Sequence, residues 1–209
     1  MKSMLKDAAI LLLITVVAGL ALGYVYFITK TPIAKAEERA VNEALGAVFA
    51  DAASFPEKED NFPYPANEDN VKQSAWEQAG FKDDVIDKVY LANDSAGNLL
   101  GYVLSVTTKA GYGGDISFLM GIRKDGTLNG ISILKISETA GLGMKAPEVL
   151  VPQFSGRKVS GFLLTKSGAS SPEEIDAISG ATITSKAVTT AVNAGLAYFE
   201  VELGGGSDE

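Results

Sequence analysis

A run of small and hydroxyl residues that leads directly into a helical pattern is the stretch of this sequence best suited to bind a ligand. Residues 176–185 read D-A-I-S-G-A-T-I-T-S, and apolar residues then recur at Val188, Val192, Leu196 and Phe199. Spacings of three and four place these side chains on one face of a helix. A helix N-terminus presents unpaired amides and the positive end of the helix dipole, so it can bind an anion such as a phosphate group.

The residue types around this helix start also fit a phosphate group. Thr184 or Ser185 is predicted as the N-cap, because a hydroxyl oxygen can accept a hydrogen bond from a first-turn amide. Gly180 and Ala181 allow a ligand to approach the backbone closely, and Lys186 can add a charge-assisted contact. The alternative is an ordinary capped helix after a glycine turn.

A glycine-rich loop upstream is suited to lie beside a planar ring. Residues 111–115 read G-Y-G-G-D and separate two predicted strands. On the functional interpretation, Gly113 and Gly114 form a flexible wall and Tyr112 stacks on the ring. The alternative is an ordinary loop in which the glycines adopt positive φ and the tyrosine packs.

A second turn offers polar and apolar groups in close succession. Residues 138–143 read E-T-A-G-L-G and follow a predicted strand. On the functional interpretation, Glu138 and Thr139 hydrogen-bond a heterocycle and, beyond Gly141, Leu142 covers its apolar face. The alternative is a strand-exit turn that leads into a helix.

The composition narrows the chemistry that the chain can perform. Its 209 residues include neither cysteine nor histidine, which excludes Cys-ligated iron–sulfur clusters, thiol catalysis, Ser-His-Asp catalysis and His-ligated haem or zinc. The formal net charge is −8, whereas nucleic-acid binding needs a basic footprint. We therefore expect no nucleic-acid partner. The length suffices for one membrane segment and one domain with a sizeable core.

An uncharged apolar run at residues 8–28 predicts a transmembrane helix within an anchor that covers residues 1–30. At 1.5 Å per residue it spans about 30 Å, the thickness of the hydrocarbon layer. A cleaved signal peptide fits less well, because the run is longer than a usual h-region. Gly19 and Gly23 have the G-x-x-x-G spacing of closely packed membrane helices, although this spacing is common by chance. Lysines flank the run on both sides, so charge alone indicates the orientation only weakly.

The rest of the chain divides into three further segments. Residues 31–50 are predicted to form a juxtamembrane helix with Pro32 near its start. Residues 51–204 are predicted to form the ligand-binding domain, which begins with a Pro-rich exposed loop over residues 51–70. Residues 205–209 are predicted to be a frayed, disordered tail.

Alternating patterns within the domain predict two β-hairpins. Their strands cover residues 85–92 with 99–107, and residues 117–123 with 127–136, and an Asp-Gly pair provides the second turn. A short helix over residues 147–154 and the C-terminal helix follow. Strand pairs followed by helices indicate an α+β domain, with one antiparallel sheet and helices packed on it.

The three glycine-containing stretches resemble, in order, the motifs of the FMN-binding domain family. This family includes the G subunit of the Rnf complex and the C subunit of the sodium-translocating NADH:quinone oxidoreductase. Its flavinylation motif, D-x-x-S-G-A-T, matches from Asp176 onward without departure. The second turn departs once, because Ala140 stands where proline is usual. The short length and compact domain favour the Rnf G subunit.

The resemblance implies a covalent cofactor. In this family a flavin transferase joins FMN through its phosphate to the hydroxyl of the last motif threonine, which is Thr182 here. The phosphate would rest near Ser179, Gly180, Thr184 and Lys186, and the ring would lie between the Tyr112 loop and the turn at residues 138–142.

The resemblance also implies a cellular role. The chain would be an electron-carrier subunit of a membrane complex that passes electrons between ferredoxin and NAD and moves Na⁺ or H⁺. Its partners would be integral membrane subunits and soluble iron–sulfur and NADH-handling subunits. The N-terminus would be cytoplasmic and the single span would place the main domain outside the cytoplasm.

Other functions remain open at this stage. One is a C-type subunit of the quinone reductase, or another membrane-anchored FMN electron carrier. Another is a non-redox extracytoplasmic binding or assembly module. A hydrolase with Thr182 as nucleophile is disfavoured, because the chain has no histidine to act as its base.

Overall fold

The computed structural model describes residues 2–59, 62–65 and 70–204. Two compact units are distinguished, Met1–Asn42 and Glu43–Glu209. The predicted tail at residues 205–209 lies outside the described residues, as do residues 66–69 of the predicted loop.

A single helix, α1, covers Lys2–Val48. Its residues up to Asn42 belong to the first unit, and its last residues belong to the second. Its large apolar side chains are exposed along the predicted span, with Leu20 71% and Phe27 79% accessible. This length and composition are sufficient to cross a membrane, and the structure confirms a single apolar N-terminal helix. The helix start predicted near Pro32 is wrong, because α1 continues through that residue. Pro32 removes one backbone donor and its ring crowds the preceding turn, but the helix is not interrupted there.

The second unit is built on a four-stranded antiparallel sheet in the order β1-β2-β3-β4. The strands are β1 Asp84–Asn93, β2 Leu99–Thr108, β3 Ile116–Arg123 and β4 Leu128–Lys135. Both predicted hairpins are confirmed, with boundaries within one residue. Strands β2 and β3 pair without a β-bulge, and Val103, for example, lies opposite Gly121.

The C-terminal helix, α4, covers Thr182–Glu202 and packs on the sheet. The four apolar residues that predicted its inner face are all buried. Gly195 allows the close approach, because a Cβ atom at this position would overlap Met120 of β3. The α+β architecture, a sheet with helices packed on it, is therefore confirmed.

The connection from β4 to α4 is less regular than predicted. The single helix expected over residues 147–154 is replaced by a 3₁₀ turn, the short helix α3 at Ala146–Val149, and a second 3₁₀ turn at Val151–Phe154. Two three-residue strands, β5 Leu163–Thr165 and β6 Glu174–Asp176, then pair in parallel. We did not predict this pair, because three residues are too few to show an alternating pattern.

Described residues between α1 and β1 pair with the edge of the sheet. Isolated antiparallel bridges join it to β1, including Ser54 with Asn93 and Tyr64 with Ile86. The Tyr64 ring also contacts Trp76 of helix α2, which covers Asn70–Gln78. The described part of the predicted loop thus covers part of the otherwise free edge of β1.

Candidate functional site

One cavity of about 500 Å³ lies between the start of α4 and the two predicted glycine-containing loops. This volume is within the range of cofactor pockets. Eight of its ten lining residues are sequence-predicted site residues. The ten are Tyr112, Glu138, Thr139, Leu142, Gly143, Gly180, Ala181, Thr182, Ile183 and Thr184.

The start of α4 lies three or four residues earlier than the sequence predicts. The N-cap is Ala181, whose side chain makes no capping hydrogen bond, and Thr182 is the first helical residue. The predicted cap at Thr184 or Ser185 is therefore wrong. Ser185 is instead tied inside the helix, where its Oγ donates to Ala181 O and accepts the N–H of Ile178, both at 2.9 Å. The first-turn amides consequently have no side-chain cap, which leaves this end of the helix suited to an anion.

On the α4 side of the cavity, two threonine hydroxyls lack a hydrogen-bond partner among the described residues. Thr182 is half-buried and Thr184 is 2% exposed, and both line the cavity. Neither hydroxyl makes a hydrogen bond within the described part of the chain. Thr189, one turn further along, differs because its Oγ1 donates to Ser185 O at 2.8 Å. The hydroxyls at the cavity are thus available to a ligand, whereas the one deeper in the helix is satisfied by the backbone.

The opposite side of the cavity is formed by the two loops, which contact each other. Glu138 Oε1 accepts the N–H of Gly113 at 3.3 Å. Tyr112 is 69% exposed at the tip of its loop, and Leu142 is 39% exposed. A Cβ atom at Gly180 would lie 3.1 Å from Leu142 Cδ2, so this leucine reaches across to the residues that precede α4.

Two lining residues, Gly143 and Ile183, were not predicted as site residues. Gly143 closes the E-T-A-G-L-G stretch, and its position inside that motif was the available signal. A Cβ atom on it would lie 2.6 Å from Thr184 Oγ1 and 2.8 Å from Glu138 Cβ. Ile183 is 54% exposed and interrupts the small and hydroxyl residues, and no sequence feature marked it.

The other predicted site residues do not line the cavity. Asp176 ends β6, and its backbone exchanges hydrogen bonds with the side-chain amide of Gln153. Ser185 is buried beneath the cavity. The remaining predicted residues lie within two positions of a lining residue in the chain but do not line the cavity themselves; they are Ser179, Gly113, Gly114 and Gly141.

Lys186 is exposed and lines a different cavity, of about 280 Å³, together with Asp83 and Asp84. Asp84 is 2% exposed, and its Oδ1 has no hydrogen-bond partner in the described part of the chain. Burial raises the pKa of Asp84 to about 6, although a hydrogen bond from Thr108 acts in the opposite direction. The contact of Lys186 with a phosphate stays a prediction.

Comparisons with known proteins agree with this arrangement. A family model described as an FMN-binding domain matches residues 111–197, and one described as the RnfG N-terminal region matches residues 1–48. Together they take in the apolar helix, both loops and the start of α4.

Full-length relatives extend the similarity over nearly the entire chain. The G subunit of the Na(+)-translocating ferredoxin:NAD(+) oxidoreductase complex of Acetobacterium woodii is 34% identical over 95% of this chain and 93% of that protein. The G subunit of the ion-translocating oxidoreductase complex of Methanosarcina acetivorans is 30% identical, over 97% and 98% respectively. A crystal structure of Shewanella oneidensis NqrC aligns with a TM-score of 0.47 and 18% identity, over 73% of this chain and 70% of that one.

The fold and the site together define a protein with a single apolar N-terminal helix and an α+β domain that carries a ligand cavity at a helix N-terminus. Within that class, the chain belongs to the family of G subunits of ion-translocating oxidoreductase complexes.

Proposed function

We propose that this chain is the FMN-carrying electron-transfer subunit of a membrane-bound ferredoxin:NAD oxidoreductase complex, with the flavin joined by a phosphoester to Thr182. The observation that carries the proposal is the free Thr182 hydroxyl, at the uncapped first turn of α4, inside a cofactor-sized cavity. The match to the FMN-binding domain model covers this cavity completely.

The electron-transfer role follows from the relatives. Two of the relatives are named as G subunits of ferredoxin:NAD⁺ oxidoreductase complexes, one Na⁺-translocating and one proton-translocating. The chain is thus a subunit of a multi-subunit oxidoreductase, and its own activity is exercised within that complex. Both coupling ions occur among the relatives, so these names do not identify the ion that the complex of this chain translocates.

A flavin phosphate fits the start of α4. The amides of the first turn are free of side-chain caps, and the unpartnered hydroxyl of Thr184 can donate to a phosphate oxygen. The positive end of the helix dipole stabilises the negative charge there. Thr182 Oγ1 would provide the ester oxygen. Its bond to phosphorus would form as its proton leaves and as one P–O bond to a leaving group on the flavin phosphate breaks, so that the product differs from Thr182 plus FMN by the loss of one water.

A planar ring fits the remainder of the cavity. Leu142 and Ile183 offer apolar surface, and Tyr112 offers an aromatic face at the mouth. FMN, once bound, supplies the electron-accepting and electron-donating chemistry, while the protein supplies attachment, orientation and electrostatics. A covalent link also prevents loss of the cofactor by dilution.

The anchor and the maturation machinery complete the proposal. The span within α1 holds the domain at the membrane, with the N-terminus cytoplasmic and the domain outside the cytoplasm. A flavin transferase attaches FMN, recognising the D-x-x-S-G-A-T stretch in which Asp176 is the first residue. The other subunits of the complex are the electron donor and acceptor.

The attachment site is tested by intact mass and in-gel fluorescence of the full chain coexpressed with a flavin transferase. The wild type is expected to gain the mass of FMN minus one water and to fluoresce on a denaturing gel. Thr182→Ala is expected to lose both signals completely. Thr190→Ala removes a half-buried threonine from the same helix outside this cavity, and it is the matched control that should remain fluorescent.

The outcomes separate the parts of the proposal. A fluorescent band in Thr182→Ala would refute this attachment site while leaving a flavoprotein. A dark wild-type band in the presence of an active transferase would refute the covalent flavin itself.

A further inference from the structure

The side chain of Glu138 lies between the two loops of the cavity. Its Oε1 accepts the N–H of Gly113 at 3.3 Å. A Cβ atom on Gly111 would lie 2.9 Å from the same oxygen. The carboxylate thus lies against the glycine loop near both Gly111 and Gly113.

The Cβ and Cγ atoms of the same side chain lie close to Gly143. A Cβ atom on Gly143 would lie 2.8 Å from Glu138 Cβ and 3.0 Å from its Cγ. Such an atom would also lie 2.6 Å from Thr184 Oγ1 in the first turn of α4. Glu138 therefore contacts the glycine loop through its carboxylate and Gly143 through its Cβ and Cγ atoms. Gly143 in turn lies close to Thr184 of α4.

The glycine loop has few other attachments near its tip. Among the described residues, the side-chain hydrogen bonds to residues 110–114 are the one from Gly113 to Glu138 and a 3.3 Å bond from the Ala110 N–H to Thr108 Oγ1. Tyr112 itself is 69% exposed. The Glu138 contact is thus the side-chain hydrogen bond at the level of Tyr112, where Gly113 also packs closely on the backbone of Ser137.

We propose that Glu138 is a positioning residue whose Oε1 holds the Gly111–Gly114 loop closed, so that Tyr112 stays at the mouth of the cavity. The role requires an acceptor oxygen at this reach and does not require a negative charge. The inference rests on the proposed flavin only for its second readout, because the loop contact exists in the chain itself.

The first test is amide hydrogen exchange at Gly113 in the full chain, solubilised in detergent and prepared without a flavin transferase. Glu138→Ala removes the acceptor, and Gly113 is expected to exchange about tenfold faster, since hydrogen bonds to charged groups are among the stronger ones. Glu138→Gln keeps an acceptor oxygen and should stay within about threefold of the wild type. Glu148→Ala removes an exposed glutamate of α3 and should change nothing.

Two results would overturn the proposal. Unchanged protection of Gly113 in Glu138→Ala would show that the contact does not hold the loop. A loss of Gly113 exchange protection as large in Glu138→Gln as in Glu138→Ala would show that the effect depends on the charge of Glu138. Should Glu138→Ala lose the exchange protection of β2 amides as well, Glu138→Asp repeats the test with a carboxylate that is one methylene too short.

The second readout uses the flavinylated chain and distinguishes positioning from electrostatic tuning. Iodide should quench the flavin fluorescence more strongly in Glu138→Ala than in the wild type or Glu138→Gln, because an open loop uncovers the ring. The flavin midpoint potential should rise in both Glu138→Gln and Glu138→Ala, because both remove a carboxylate that lines the cavity. Quenching should separate the two variants, and quenching as strong in Glu138→Gln as in Glu138→Ala would count against the proposal. A dark wild-type protein would refute the proposed flavin, whereas the exchange test would still decide the role of Glu138.

Discussion

The two sides of the cavity differ in how firmly the protein holds them. On the α4 side, Ser185 is fully buried, Thr184 is 2% exposed and Ala181 is 7% exposed. On the loop side, Tyr112 is 69% and Leu142 39% exposed. The proposed attachment point, the half-buried Thr182, thus lies among buried residues of α4, whereas Tyr112 on the loop side is mostly exposed.

The difference has a clear origin in the tertiary contacts. Helix α4 packs on the sheet with Gly195 against Met120, and Ser185 ties the residues before the helix to its first turn. The Tyr112 loop depends on the hydrogen bond to Glu138 instead. A fixed attachment point combined with adjustable walls lets a protein retain its cofactor while the surroundings of the ring adapt to different partners.

The largest expected effect concerns the buried carboxylate of Asp84, which lies beside the α4 side of the cavity. Its folded-state pKa of about 6 exceeds the ordinary value of 3.8, so the folded chain holds this proton more tightly than the unfolded chain. Stability contributed by this group is therefore greatest below pH 4 and falls as the pH rises through 6, by up to about 3 kcal/mol. Asp84→Asn should abolish this fall.

This prediction is checked by urea unfolding of the domain at pH values between 4 and 7. The difference in unfolding free energy between Asp84→Asn and wild type should grow with pH in favour of the variant. Asp115→Asn removes an exposed carboxylate and is the control. Parallel pH profiles of Asp84→Asn and wild type would contradict the assignment.

A smaller loss of stability is expected when the Ser185 hydrogen bonds on the α4 side are removed. Ser185→Ala deprives the Ile178 N–H of its acceptor, and leaving such a buried donor unpaired costs about 1–3 kcal/mol. The thermal midpoint should fall, and flavin attachment should become less efficient because the segment before Thr182 loosens. Ser171→Ala, an exposed position, should have neither effect; equal behaviour of the two variants would mean that the α4 side is not held in this way.

The smallest effect is expected on the loop side. Tyr112→Ala should change the unfolding free energy by less than about 0.5 kcal/mol, because the side chain is mostly exposed. Flavin attachment should persist, while iodide quenching of the ring should increase. Tyr112→Phe keeps the aromatic face and should match the wild type. A stability loss in Tyr112→Ala as large as that in Ser185→Ala would remove the distinction between the two sides.

Much of this arrangement could be predicted from the sequence, because it is written in local patterns. Uninterrupted apolar residues indicated the span, period-two alternation indicated both hairpins, and the spacing of Val188, Val192 and Leu196 indicated the buried face of α4. The three glycine-containing stretches indicated the walls of one site, and eight of the predicted residues do line a common cavity.

Other features could not be predicted, because they depend on contacts between residues far apart in the chain. The N-cap position was misjudged, since Ser185 satisfies a backbone donor at Ile178 that only the folded loop brings near. The orientation of Lys186 toward the second cavity, beside Asp84, is set by how α4 is rotated on the sheet. The parallel pairing of β5 with β6 joins two segments too short to be recognised singly.

The sequence by itself determined the elements and the chemistry available: an apolar span, an antiparallel sheet, a helix with one apolar face, and hydroxyl and glycine residues at its start. These follow from periodicity and residue type, which need no knowledge of distant neighbours. Only the tertiary structure decided which hydroxyls remain free, which carboxylate is buried, and that Glu138 faces the glycine loop. These depend on burial and on distances of about 3 Å between separate segments, and such distances arise only when the whole domain packs.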